Sequence, residues 1–245
     1  RRGRRGNSGN RRGTVRSGLT TERRRKIIRT MTRFFALLAC VSLIPTALSP
    51  AFAQTGQPPT EFTIAQLRYG GGGDWYANPS SLPNLLAFIA RTTNIRVATT
   101  PARVQIMDND LFGYPFLYMT GHGNVRFTDE ETARLRLYLT SGGFLHADDN
   151  YGMDLSFRRE MKRVFPDKAL VELPFDHPIY RSWFVFHRGL PKIHEHDGKP
   201  PQGFGIFDRG RLVVFYTYEC DLGDGWEDAG VHNDPEDKRQ AALRM

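Results

Sequence analysis

The chain has 245 residues, 40% of them hydrophobic and 12% aromatic, and a formal net charge of +8. Residues 1–30 carry twelve Arg or Lys side chains and a single Glu, whereas residues 54–245 carry 21 basic and 25 acidic side chains. The part long enough to fold is therefore mildly acidic, which excludes a nucleic-acid-binding surface built on net positive charge. Its density of apolar side chains excludes extended disorder.

The basic segment of residues 1–30 has almost no apolar side chain before Ile27. Such a segment buries too little surface to offset its ordering entropy, so we expect it to be disordered or untranslated. Met31 is the first methionine and stands directly before a hydrophobic run, which favours it as the start of translation.

Residues 31–53 have the pattern of a secretory signal peptide. Arg33 supplies the positive region, residues 34–48 the apolar region, and Ala51 and Ala53 the small residues of a cleavage site. A membrane-spanning helix needs about 20 apolar residues, and Pro45 interrupts this shorter run. Twin-arginine and lipoprotein signals are weaker matches. We therefore predict an exported protein, periplasmic or secreted and in some contexts membrane-associated, with no transmembrane segment after cleavage.

Cleavage would leave Cys220 as the only cysteine, which excludes an internal disulfide. Export also argues against cytosolic cofactors such as ATP or NAD, so we expect no cofactor.

After a linker at residues 54–60, the apolar pattern predicts strands alternating with helices. The predicted strands are residues 62–67, 95–98, 115–119, 144–147 and 169–173. A helix is expected to start at Ser81, and Thr128 with Glu131 forms a capping box for the next. A third carries Phe157 and Met161 on one face. This alternation indicates βαβ units and a mostly parallel sheet.

The pattern changes after Pro174. A proline- and histidine-rich excursion covers residues 177–203, and two apolar strands then flank an Asp208-Arg209-Gly210 turn, which predicts an antiparallel edge hairpin. Asp234 is expected to cap a last helix, and the chain is expected to continue past Met245. The prediction is a single three-layer α/β domain over residues 61–245, with a mostly parallel sheet.

Ligands of such sheets bind outside the carboxyl ends of the strands, where three loops stand out. The first contains Gly71 and Gly72, which could form an anion nest but are better explained as a turn that folds Asp74, Trp75 and Tyr76 over the crevice.

The other two loops carry polar side chains. His122 lies between two glycines, where an imidazole can act as a base or a ligand, and Asp148, Asp149 and Tyr151 follow the next strand. One aspartate is expected to orient His122 or bind a cation, and at least one to cap a helix. His146, inside a strand, is expected to be a packed core residue.

Three further features favour structural explanations. His194-Glu195-His196 could bind Zn or Cu, but a solvated loop accounts for it, so no metal site is predicted. Cys220 is interpreted as a buried thiol rather than a nucleophile paired with His232. The acidic turn formed by Asp221, Asp224, Glu227 and Asp228 is interpreted as a solvated loop rather than a Ca²⁺ site.

The motifs Phe116-Leu-Tyr-Met-Thr-Gly-His-Gly, Phe127-Thr-Asp-Glu-Glu, the stretch from Tyr138 to Asp149 and Gly223-Asp-Gly-Trp-Glu-Asp occur in order. In these the chain resembles the bacterial family catalogued as domain of unknown function 4159, over residues 61–245. That family is commonly exported or membrane-associated and has no settled activity.

The chain is also similar to the class I glutamine-amidotransferase-like superfamily, which implies a flavodoxin-like fold. Catalytic members carry a cysteine in the turn after the fourth strand, whereas this chain reads Asp148-Asp149-Asn150-Tyr151 there. The favoured hypothesis is a non-catalytic domain of the cell envelope that binds a small molecule, glycan, peptide or envelope protein. The alternative is a hydrolase, metal-assisted or not, that uses His122 with Asp148 or Asp149. A structural role in the envelope is a third.

Overall fold

The computed structural model describes residues 61–245, which form one seven-stranded sheet. In chain order the strands are β1 (Ala65–Arg68), β2 (Ala102–Gln105), β3 (Phe116–Gly121), β4 (Phe144–Asp149), β5 (Val171–Glu172), β6 (Gln202–Asp208) and β7 (Arg211–Tyr218). Their order across the sheet is β2-β1-β3-β4-β7-β6-β5. The first five in that order pair in parallel, while β6 pairs antiparallel with both neighbours. The predicted α/β class with an antiparallel edge is confirmed.

The part of the chain that the structure describes contains five α-helices. They are α1 (Ser81–Thr92), α2 (Asp129–Thr140), α3 (Asp154–Val164), α4 (Leu222–Trp226) and α5 (Glu236–Arg244). The predicted capping box is present at α2, where the Glu131 backbone N–H donates to Thr128 Oγ1 at 3.1 Å and Glu131 Oε2 accepts from the Thr128 N–H at 2.8 Å.

The side chains of each strand alternate between two cores. On one face Leu117 and Met119 of β3 pack with Phe157 of α3, whereas on the other Tyr118 packs with Leu82 of α1 and Trp226 of α4. Because successive strand residues point to opposite faces, one strand supplies both cores. The result is a three-layer arrangement consistent with a flavodoxin-like fold.

Two strand predictions need correction. Residues 95–98 contribute only one bridge, from Val97 to Phe62, and the second strand is β2, further along the chain. The apolar pattern was misleading in both segments. Ile95, which suggested a strand, is exposed, and β2 has only one buried residue, Val104, to mark it in the sequence. The fifth strand is only two residues long and pairs antiparallel with β6, outside the parallel part of the sheet.

The predicted hairpin is present, with Arg209 and Gly210 both at positive φ in its turn. Its second strand, β7, also pairs in parallel with β4, so the hairpin joins the parallel sheet through β7. The prediction that Asp234 caps the last helix is wrong, because its carboxylate bonds to His194 instead.

No helix within residues 61–245 is long and apolar enough to cross a membrane. The basic segment, the signal peptide and the linker predicted for residues 1–60 lie outside the described residues.

Candidate functional site

The loops that follow β1, β3, β4 and β7 meet at one edge of the sheet, because these strands are parallel. We call the space between these loops the crevice. Strands β1 and β3 are neighbours in the sheet, but the chain connects β1 first to β2, which lies on the opposite side of β1 from β3. The connections that follow β1 and β3 therefore run in opposite directions across the sheet. Such a switch point is where open α/β sheets bind ligands.

The glycine loop after β1 is tied to the loop after β3. The Gly73 N–H donates to the Asn124 carbonyl at 3.0 Å, and Gly70 forms a bridge with Arg126. At Gly71, which has φ of +109°, an added Cβ would lie 2.7 Å from the Arg126 nitrogen. Glycine is therefore required at Gly71 for the close approach of two loops. Gly72 has φ of +93° and open space around it.

Asp74 and His122 form a pair at the switch point. His122 Nδ1 lies 3.0 Å from Asp74 Oδ2, and the His122 backbone N–H donates to Asp74 Oδ1. The side chains are 55% and 33% exposed for His122 and Asp74. The expected partner of His122 was Asp148 or Asp149, so this pairing corrects the prediction. Nε2 of His122 has no hydrogen-bond partner within residues 61–245.

The predicted aromatic residues lie in two places. The Trp75 and Tyr76 rings contact edge-to-face at 5.5 Å, and the Arg68 guanidinium lies 5.1 Å from the Trp75 ring centroid. Trp75 is partly buried against the core, whereas Tyr76 is 63% exposed. Tyr151 lies after β4, where its ring stacks on His196 with centroids 4.6 Å apart.

Asp148 and Asp149 are buried and serve the fold. Asp148 accepts hydrogen bonds from Thr217 Oγ1 and from the Gly223 N–H at the start of α4, the latter at 2.7 Å. Asp149 accepts from the Met153 N–H before α3 at 2.9 Å. The expected cap of the following helix is not formed, because Met153 is the N-cap position of α3 and no side chain caps that helix; Asp148 bonds instead to the first turn of the distant helix α4. Burial raises the pKa of Asp148 to about 6, against the opposing effect of these hydrogen bonds.

Two residues predicted to be structural are indeed in the core. The His146 ring stacks on Phe215, and burial lowers its pKa to about 3. Cys220 is fully buried, which raises the pKa of its thiol well above the usual value. A buried thiol with a raised pKa is a poor nucleophile, so the interpretation of Cys220 is confirmed.

The structure brings together four residues that were expected in solvated loops and a fifth, His232, that had been considered only as a partner of Cys220. We call His194, His196, His232, Asp221 and Asp224 the histidine–aspartate cluster. His194 Nδ1 lies 3.0 Å from Asp224 Oδ2 and 3.8 Å from Asp221 Oδ2. His232 Nδ1 lies 3.7 Å from Asp224 Oδ2, and His196 Nε2 bonds to Asp221 Oδ2.

The cluster forms because β6 and β7 are antiparallel. The segment that enters β6 therefore lies beside the segment that leaves β7, and the Ile193 N–H donates to the Cys220 carbonyl at 3.0 Å. The chain then turns at Asp221, whose φ of +54° is left-handed. The hairpin register, from Gln202 opposite Tyr218, was the signal from which this proximity could have been predicted.

The electrostatics of the cluster are dominated by buried carboxylates. The hydrogen bond with Asp224 raises the pKa of His194 to about 9. Burial raises the pKa of Asp221 to about 8, and the neighbouring Asp148 and Asp224 add to that rise. Asp221 has no exposed surface, and its Oδ1 has no hydrogen-bond partner within residues 61–245. Imidazole nitrogens and carboxylate oxygens are the donors that Zn²⁺ and related ions bind.

A separate cavity of about 430 Å³ lies at the opposite edge, beneath the amino ends of β3 and β4. Its walls are mainly aromatic and aliphatic, including Phe116, Phe144 and Trp183. None of the site residues predicted from the sequence lines it.

The family model described as Domain of unknown function (DUF4159) matches residues 63–245. The chain belongs to this family. The match covers every strand and helix of the DUF4159 domain described above, and both the switch point and the histidine–aspartate cluster fall within it. No curated protein matches the chain.

Proposed function

We propose that this DUF4159 protein is an exported, non-catalytic domain of the cell envelope that binds a glycan or peptide ligand in the crevice. The Asp74–His122 pair carries the proposal, because it places two partly exposed polar side chains at the switch point between β1 and β3. A paired carboxylate and imidazole present hydrogen-bonding groups that recognise hydroxyl and amide groups.

An exposed aromatic ring supports this choice of ligand. Tyr76 is 63% exposed and lies two residues after Asp74, with the Trp75 ring packed against it. Flat aromatic faces beside fixed polar groups are the usual lining of sites for sugars and peptides. Tyr151 also faces solvent and has φ of +82°, and such a conformation in a bulky residue is concentrated at functional sites.

The absence of an exposed nucleophile after β4 supports a non-catalytic role. Asp148 and Asp149 are 0% and 3% exposed, and their oxygens bond to backbone amides and hydroxyl groups of the fold. An aspartate cannot replace the cysteine sulfur that forms the thioester intermediate of amidotransferases. The exported location is supported by the signal-peptide pattern of residues 31–53.

Calorimetric titration of the full chain with a disaccharide–peptide fragment of peptidoglycan tests the proposal. We expect Tyr76→Ala to weaken binding about tenfold, through loss of about 1.4 kcal/mol of aromatic contact. Asp74→Asn should weaken it as well. Phe175→Ala, which removes another exposed aromatic ring outside the crevice, should leave binding unchanged. Equal affinities for all four proteins, or no binding by the wild type, would refute a glycan or peptide site here.

A second candidate function is a hydrolase. His122 Nδ1 contacts Asp74, and no group within residues 61–245 bonds to Nε2, which is the arrangement of a general base oriented by a carboxylate. In this version Asp74 has the role that the sequence analysis gave to Asp148 or Asp149. Turnover of the same fragment that is lost in His122→Ala and reduced by orders of magnitude in Asp74→Asn would favour the hydrolase. Binding without turnover would favour the binding domain.

A further inference from the structure

The donor atoms of the histidine–aspartate cluster are spaced as ligands of one metal ion. Asp224 Oδ2 lies 3.0 Å from His194 Nδ1 and 3.7 Å from His232 Nδ1. In a tetrahedral zinc site with bonds of about 2.0–2.1 Å, ligand atoms are about 3.3 Å apart. Small side-chain adjustments would therefore suffice to bring these three atoms to a single ion.

The outer nitrogens of both imidazoles already have carboxylate partners. His194 Nε2 lies 2.9 Å from Asp234 Oδ1, and His232 Nε2 lies 2.8 Å from Glu227 Oε2. Histidines that bind a metal through one nitrogen almost always donate the other N–H to a carboxylate or carbonyl group. Asp224 is held in the same way, because Asn78 Nδ2 donates to its Oδ1 at 2.6 Å. The side chains of His194, His232 and Asp224 are thus each oriented by a hydrogen bond to a residue outside the cluster.

Asp221 provides an independent sign that a cation belongs here. Its side chain is fully buried and its Oδ1 has no hydrogen-bond partner within residues 61–245, while its Oδ2 bonds to His196 Nε2 and lies 3.8 Å from His194 Nδ1. A buried carboxylate oxygen without a partner is costly. With Asp224, Asp234 and Glu227, four carboxyl groups surround three imidazoles, and a bound dication would interact favourably with these carboxyl groups.

We propose that the histidine–aspartate cluster binds one divalent transition-metal ion of the zinc class through His194 Nδ1, His232 Nδ1 and Asp224 Oδ2, with the Asp221 carboxylate facing the ion. His194, His196 and Asp221 form a second possible donor set. Because both sets need His194, they describe one ion rather than two. The set with Asp224 and His232 is preferred because both of its imidazoles have carboxylate partners on their outer nitrogens.

The mixed donors decide the class of metal. Two imidazole nitrogens with carboxylate oxygens suit Zn²⁺ and neighbouring first-row ions, whereas Ca²⁺ and Mg²⁺ prefer oxygen ligands alone. The His194 and His232 side chains remain 24% and 28% exposed, so solvent reaches the cluster. This site lies at the ends of β4 and β7 and does not depend on the ligand site proposed at Asp74 and His122.

Zinc binding by the full chain tests the proposal directly. After treatment with a chelator, the chain is titrated with Zn²⁺ by calorimetry, and bound zinc is counted by elemental analysis. We expect one zinc per chain, at least about 100-fold weaker binding in His232→Ala, and about 10–100-fold weaker binding in Glu227→Gln, which alters the outer partner of His232 and keeps an oxygen that can accept from Ser80. His187→Ala removes an exposed imidazole outside the cluster and should bind zinc like the wild type.

Circular dichroism of each metal-free variant checks its folding. If His232→Ala does not fold, Glu227→Gln decides, because that substitution keeps the shape of the side chain. Wild-type protein that binds less than one zinc per chain at micromolar zinc, or affinities unchanged in folded His232→Ala or in Glu227→Gln, would overturn the proposal. Ion pairing alone would then account for the cluster.

Discussion

His146→Phe should remove a specific part of the acid sensitivity of the fold. His146 is neutral in the folded protein because burial lowers its pKa to about 3, whereas in the unfolded chain its pKa is near 6.5. As pH falls below 6.5 the unfolded chain takes up a proton that the folded chain does not, so stability decreases. Linkage gives a loss of about 2 kcal/mol between pH 7 and pH 5 from this one group.

Urea unfolding of both proteins at pH 7 and pH 5 measures this loss. Phenylalanine keeps an aromatic ring against Phe215 and gives up the contact of His146 Nε2 with Thr217 Oγ1 at 3.1 Å. Asp148 has the opposite effect, because its raised pKa means that the folded protein gains stability as the pH falls. Both proteins contain Asp148, so its contribution largely cancels in the comparison. The wild type should lose about 2 kcal/mol more than the variant. Equal losses in the two proteins would show that His146 is not held neutral by burial.

Two further substitutions test local features of the fold. Thr128→Ala removes one half of the capping box with Glu131 and should lower the free energy of unfolding by about 1 kcal/mol, measured by urea titration. Gly143→Ala places a methyl group against the buried ring of Tyr138 and should cost about 1–3 kcal/mol, whereas Gly113→Ala meets no atom within 4 Å and should cost less than about 1 kcal/mol. Similar thermal stability for the two alanine variants would contradict the packing described around Gly143.

Elements with strong local signals were predicted well. The capping box at Thr128 and the turn at Arg209 rest on residues close in sequence, and the helix with Phe157 has its apolar residues spaced at helical period along the chain. Local hydrogen bonds and periodicity are sufficient to specify them. Strand β2 was missed because Val104 is its only buried residue. Its sequence therefore lacks the alternation of apolar and polar residues that is typical of a strand.

The candidate site was predicted in position but not in pairing. Asp74, His122 and Asp149 all lie at the carboxyl-terminal edge of the sheet, as expected, but their partners depend on which strands are neighbours. His122 meets Asp74 because β1 and β3 are adjacent, while Asp149 turns back to the Met153 amide. The Asp149 carboxylate, which was expected near the His122 imidazole, therefore accepts a hydrogen bond from the Met153 N–H four residues along the chain.

The histidine–aspartate cluster was missed for a related reason. Its members come from three segments, around His194, Asp221 and His232, and each segment alone is typical of a solvated loop. His194 and Asp221 meet because β6 and β7 pair as a hairpin, and the register of that hairpin was the signal that could have shown their proximity. The position of His232 beside them depends on the packing of the chain after α4, which no local pattern encodes.

Both polar sites therefore occupy places where the order of the sheet departs from the order of the chain. Asp74 and His122 lie where the connections of β1 and β3 diverge, and the cluster around Asp224 lies where β4 and β7 are neighbours without being consecutive. At such junctions no direct crossover covers the gap between strand ends, so space is left for side chains from distant segments. The Asp74–His122 pair and the cluster share no residue, although Tyr151 stacks on His196 of the cluster. A loss of zinc binding in His232→Ala with an intact response to Tyr76→Ala would show that the two sites act independently.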